Sequence, residues 1–134
     1  DRFKTGNGWV AYVVFGLLFF WQIPHFLAIA WMYREEYASA GFVMLKPGDD
    51  TGRATALESF IFSLLLFVVS YVPFWFGKMH SLYGVGAAIF NIMYSGSALV
   101  FLLDRSHVVA RRLFFASIVY LPGILLLLAF LKKN

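Results

Sequence analysis

The chain has 134 residues, of which 61% are hydrophobic, 20% aromatic and only 13% charged. A soluble domain carries about 25% charged residues, and here the apolar residues fall in long runs, so the composition excludes a soluble globular domain and indicates a helical membrane protein. The absence of cysteine excludes disulfides, thiolate metal sites and CxxCH motifs. The net charge of +4 is spread over ends and connections, as membrane-flanking charge is, and is no nucleic-acid footprint.

The chain opens with a polar stretch, Asp1 to Asn7, with no initiating Met and no visible signal peptide; this reads as the C-terminal part of a longer protein. Four spans follow in one membrane domain, residues 1–134. They are expected at about 9–32, 56–76, 82–103 and 113–131, each near the ~20 residues that cross the hydrocarbon. Helices are the structure that satisfies the backbone there. Pro24, Pro73 and Pro122 fall inside spans one, two and four, where a missing donor favours a kink. Gly84, Ala88, Ser95, Gly96 and Ser97 give span three a face for close helix contact.

The connection at about 33–55 is the longest and holds Glu35, Glu36, Asp49 and Asp50. The one between spans three and four, Asp104 to Arg112, is compact and basic. Alternation places both on one side, with Arg34, Lys46, Arg53, Arg105, Arg111 and Arg112 against Arg2, Lys4, Lys78, Lys132 and Lys133 on the other. The positive-inside rule weakly favours a cytoplasmic long loop.

The first span carries Gln22-Ile23-Pro24-His25 and ends in Tyr33-Arg34-Glu35-Glu36-Tyr37. Polar groups at membrane depth are costly and mark functional sites. Gln22, His25, Ile29, Tyr33 and Glu36 fall within about 80° on one helical face, with Glu36 about 16 Å along the axis from His25. His25 is either a structural histidine bonded to a neighbouring helix, or a metal or heme ligand, or a proton donor. Glu35 and Glu36 are either a solvated helix end or a divalent-cation site. As acids at a helix C-terminus they oppose the macrodipole, and Mg²⁺ with a diphosphate would offset that cost. Asp49-Asp50 after Pro47-Gly48 reads as a turn. Arg111 and Arg112 are positive-inside anchors or partners of an anionic group. The pattern suits an enzyme acting on an amphipathic phosphorylated lipid, a transporter half, or a heme-carrying subunit.

The run from Trp21 to Tyr37 (WQIPHFLAIAWMYREEY), with Ala40-Gly41-Phe42, Met44-Leu45, Arg53-Ala54-Thr55-Ala56, Asp104, Ala110 to Phe114, Ser117 and Tyr120-Leu121, closely resembles the protoheme IX farnesyltransferase (heme O synthase) branch of the UbiA-type intramembrane prenyltransferases. The resemblance covers roughly Gly8 to Leu131. It implies a nine-helix fold of which this chain holds the last four. It implies transfer of the farnesyl group of farnesyl diphosphate to a vinyl group of heme b, giving heme O and diphosphate. It also implies Mg²⁺ on Glu35 and Glu36 and Arg34 on the diphosphate, with Gln22, Tyr33, Tyr37, Arg111 and Arg112 as further substrate contacts. His25 would face the heme cavity. The family usually has Asp where this chain has Glu36. Its first acidic motif is absent, so these residues alone are expected to be inactive without the N-terminal half. Membrane lipids, and heme A synthase or terminal-oxidase assembly, are the other partners implied. The expected place is the bacterial inner membrane, or the mitochondrial one in a eukaryote.

Two other readings stand beside the enzyme. A bis-histidine electron-transfer subunit needs two deep histidines, whereas His80 and His107 flank spans at opposite faces. A transporter or scaffold would need no acidic interfacial pair. Within the superfamily a quinone-type prenyltransferase is the nearest rival, and the Pro24-His25 pair argues against it.

Overall fold

A computed structural model describes residues 8–41 and 51–133. The chain forms α1 (Trp9–Met32), the short α2 (Arg34–Ser39), α3 (Arg53–Trp75), α4 (Ser81–Leu103) and α5 (His107–Phe130). The four long helices are each long and apolar enough to cross a membrane. They pack as a closed ring in which α1 meets α3, α3 meets α4, α4 meets α5, and α5 returns to α1. This is an all-α integral membrane bundle. Pro24, Pro73 and Pro122 lie inside α1, α3 and α5, and each helix continues through its proline.

Two boundaries differ from the expected spans. The helix α3 begins at Arg53, after Gly52 turns the chain with φ +77°. The helix α5 begins at His107, so most of the expected Asp104–Arg112 loop is helix and both arginines lie on it. Ser106 caps this helix by accepting from the Val109 amide at 3.2 Å, which satisfies an orphan donor of the first turn. The charges of Arg111 and Arg112 concealed that start, although arginine is a good helix former. The Pro47–Asp50 segment lies outside the described residues.

The bundle interior is small and polar in its lower-volume positions. Ser59, Ser63 and Ser70 line the buried face of α3, and their hydroxyls donate to the Thr55, Phe60 and Phe67 carbonyls of the same helix. Small residues let backbones approach where lipid supplies no hydrophobic drive between helices. Deeper in, the buried Asn91 amide donates to Ser70 Oγ (2.8 Å) and to the Ala87 carbonyl (2.8 Å), and Tyr120 donates to Asn91 Oδ1 (3.0 Å). Tyr83 donates to the Ser70 carbonyl at 2.7 Å. One asparagine therefore ties α3, α4 and α5 together. At the end opposite the long connection, Met79 pairs with Lys132 in an isolated bridge, with His80 N–H on the Leu131 carbonyl and Lys133 N–H on the Lys78 carbonyl.

Candidate functional site

His25 sits at the α1–α5 contact. Its imidazole lies between Trp21 (centroids 4.5 Å, 20° between planes) and Phe114 (5.3 Å, 22°), with Phe26 tilted against it at 5.5 Å. Its Nδ1 is 2.7 Å from Ser117 Oγ. The Ser117 hydroxyl itself donates back to the Phe114 carbonyl at 2.5 Å, the usual use of a serine within a helix. Trp21 Nε1 donates to the Ser117 carbonyl at 2.8 Å, and Tyr94 donates to the Trp21 carbonyl at 2.9 Å. Four side chains from α1 and α5 thus fix the ring in place, and Tyr94 of α4 braces the Trp21 backbone. Among the described residues Ser95 Oγ is the one enclosed side-chain polar atom without a partner. His25 Nε2, which has no partner either, is therefore not enclosed. The site is a half-buried, oriented imidazole with one nitrogen open.

A second cluster closes the same end of the bundle as the α1 C-terminus. Trp31, buried, donates from Nε1 to the Arg105 carbonyl at 2.9 Å. Gly52 lies against its ring so closely that a Cβ there would stand 2.6 Å from it. Arg34 lies over the indole with Cζ 3.8 Å from the centroid and donates to the Trp31 carbonyl at 2.7 Å. Arg105 donates to the Thr51 and Leu102 carbonyls. Trp31 therefore ties together α1, the start of α3 and the α4–α5 turn. Its burial and indole bond make it a structural hub.

Glu35 and Glu36 are exposed beside this hub. The expectation that they oppose a macrodipole is corrected. The first helix ends at Met32, Tyr33 interrupts it, and the two acids fall in the first turn of α2, where the dipole favours negative charge. The interruption spans one residue, and the Tyr37 amide still bonds the Tyr33 carbonyl at 3.0 Å. The described residues hold no group of three or more His, Asp, Glu or Cys that could bind a metal. What this end does offer is two adjacent hard-oxygen donors, which suits Mg²⁺, an ion held through one or two carboxylates with water and phosphate.

The remaining expected contacts separate. Gln22 is half-buried and shares the outward α1 stripe with Phe15, Phe26 and Tyr33, which are exposed. Tyr37 is half-buried. Arg111 and Arg112 point roughly 100° apart. Arg112 lines a groove between α4 and α5 with Met93, Gly96, Ser97, Val100 and Val109, away from α1. Arg111 is exposed and by helix phase shares the α5 face of Phe114, within about 60°. The structure brings Trp21, His25, Phe114 and Ser117 together, and leaves Arg112 on the other flank. Tyr94 is buried in the core against Tyr120. Ser117 is the functional neighbour that residue-by-residue reading missed; it stood out only within the resemblance.

Comparison with known proteins bears on this arrangement. The chain is 44% identical over 125 residues to a protoheme IX farnesyltransferase of Opitutus terrae, covering 90% of this chain and 40% of that protein. It is 42% identical over 120 residues to one from Solibacter usitatus (87% and 41%) and 37% identical over 122 residues to one from Salinibacter ruber (91% and 42%). By sequence the chain is similar, over about nine tenths of its own length, to protoheme IX farnesyltransferases. It spans about two fifths of the length of these curated relatives. No family model and no solved structure matches it.

Proposed function

We propose that this chain forms part of an enzyme transferring the farnesyl group of farnesyl diphosphate to a vinyl group of heme b, giving heme O and diphosphate. The observation that carries the reading is its 44% identity, over nine-tenths of its length, to a protein named for that reaction. The geometry supports it. One helix carries an oriented imidazole within the membrane, and the next short helix carries a carboxylate pair at the interface, beyond about 10 Å of helix from His25 to the end of α1. A long amphipathic prenyl diphosphate and a porphyrin match that spread.

In this reading Glu35 and Glu36 hold Mg²⁺, which supplies charge stabilisation to the departing diphosphate. Arg34 uses one N–H on the Trp31 carbonyl and keeps its remaining donors for phosphate oxygens, an arrangement a planar guanidinium suits. Phe26 and the Trp21 face lie beside His25, where aromatic surfaces favour positive charge developing on an allylic carbon. Arg111 adds positive charge on the same α5 face. The residues described here supply one acidic pair, so the chain alone is inactive and the remainder of the enzyme supplies the rest of the site. The plasma membrane is the location that goes with this reading.

The test is heme analysis by chromatography of membranes expressing the full-length protein. Glu35→Gln with Glu36→Gln should lower heme O at least tenfold and leave heme b to accumulate. Unchanged heme O in that variant removes the acid pair from the mechanism. Absence of heme O from the wild type, with a prenylated quinone precursor in its place, overturns the substrate.

A further inference from the structure

A neutral imidazole has one nitrogen with a proton and one with a lone pair, and its hydrogen bonds decide which is which. Ser117 has a single hydroxyl proton, and that proton is committed to the Phe114 carbonyl at 2.5 Å. Towards His25 the serine oxygen can only accept. The 2.7 Å contact is therefore an Nδ1–H donating to Ser117 Oγ, and the lone pair is left on Nε2, the nitrogen that has no partner and is not enclosed. The stacking of Trp21 and Phe114 on the two ring faces fixes the plane. A half-turn of the ring would keep the stack but forfeit the serine bond.

We propose that Ser117 is the positioning residue that makes His25 an Nε2 donor, and that this nitrogen is the axial ligand offered to the iron of a metalloporphyrin on the outer α1–α5 seam. The inference rests on the heme-substrate reading above and assigns its binding mode. Histidines that ligate metals almost always donate the other ring N–H to an acceptor, which sets tautomer and orientation. A serine oxygen fills that role here. Among the described residues no second histidine stands near: His80 immediately precedes α4, and His107 is the first residue of α5. The ligation this chain offers is therefore one-sided, which suits a porphyrin that must leave after reaction better than the closed grip of two axial histidines.

The test uses the full-length protein in detergent, titrated with heme and, separately, with metal-free protoporphyrin IX. Ferrous heme on the wild type should show the iron–histidine stretch of a five-coordinate species by resonance Raman. His25→Ala should lose that stretch. Ser117→Ala should weaken heme binding about tenfold, the lower end of what losing such a partner costs, and leave protoporphyrin affinity unchanged, which also reports an intact fold. Ser117→Thr, which keeps the oxygen, should restore heme affinity. Nitrogen NMR of the wild type should show His25 protonated at Nδ1 and bare at Nε2. A wild type that binds heme without the stretch, or a His25 protonated at Nε2, overturns the proposal and leaves the heme-substrate reading standing. A wild type that binds neither porphyrin overturns both.

Discussion

Replacing Gly52 by alanine tests whether Trp31 is the hub of the acidic end. Gly52 has φ +77°, and a left-handed backbone costs a residue with a Cβ about 1–2 kcal/mol. The added Cβ would lie 2.6, 2.7 and 2.9 Å from three ring carbons of Trp31. That ring is 4% exposed and packs edge-on to Phe101 at 6.5 Å, so it cannot yield without displacement. Moving it strains the Nε1 bond to the Arg105 carbonyl, worth about 1 kcal/mol, and the Arg34 contact, worth about 0.5 kcal/mol at an exposed site. The sum is about 3 kcal/mol. Gly77→Ala is the control: its φ is +73°, yet nothing lies within 4 Å of its Cβ, so it carries the backbone cost alone. Unfolding in mixed micelles by added denaturing detergent would measure both. If the two variants lose equal stability, Trp31 is not held by Gly52 and the hub argument fails.

The core makes two further predictions. Asn91→Leu and Tyr120→Phe each break the α4–α5 bond, and their double-mutant cycle should return a coupling of about 0.6 kcal/mol, with ~1.7 kcal/mol as the ceiling for bonds within membranes; zero coupling would remove Asn91 from its linking role. Gly123→Ala should destabilise by about 1–3 kcal/mol as overpacking, because its Cβ would stand 2.4 Å from the Phe90 ring, whereas Gly96→Ala has open space and should stay within about 0.5 kcal/mol of the parent. Equal stability of those two variants in the same detergent titration would contradict the α4–α5 packing.

The spans were legible because uncharged apolar runs of this length have one stable form in lipid. The start of α5 was not, since Arg111 and Arg112 resemble a loop by charge; the Ser106 cap three residues before Val109 was the signal available. His25 stands out in the sequence because the cost of a polar group at membrane depth is a local property, whereas the cost expected for Glu35 and Glu36 disappears once α2 is seen to start at Arg34. The surroundings of these residues were not legible. That Ser117 sits opposite His25, or that Asn91 meets Tyr120, depends on how helices 29 to 92 residues apart in the chain pack, and one-dimensional periodicity carries no such pairing. The placement of Glu35 and Glu36 turned on a single break at Tyr33, a detail of ±1–2 residues that pattern reading does not resolve.

The separation along α1 and α2 has a consequence for how the two sites work together. His25 is held by α5 through Ser117 and Phe114, whereas Arg34 is held by the Trp31 hub. No side chain is shared between the two sets, and from His25 to the end of α1 at Met32 there is already about 10 Å of helix. Sites further apart than about 7–10 Å without common partners contribute additively. His25→Ala should therefore weaken heme binding while leaving Mg²⁺-dependent binding of farnesyl diphosphate within twofold, and Glu35→Gln with Glu36→Gln should do the reverse. Calorimetric titration of each substrate against single-site and combined variants measures this. A coupling above about 1 kcal/mol would mean that α1 transmits between its ends, and the division into a porphyrin site and a diphosphate site would have to be abandoned. Additive losses would mean that the helix acts as a ruler, setting by its length how far the allylic diphosphate sits from the porphyrin.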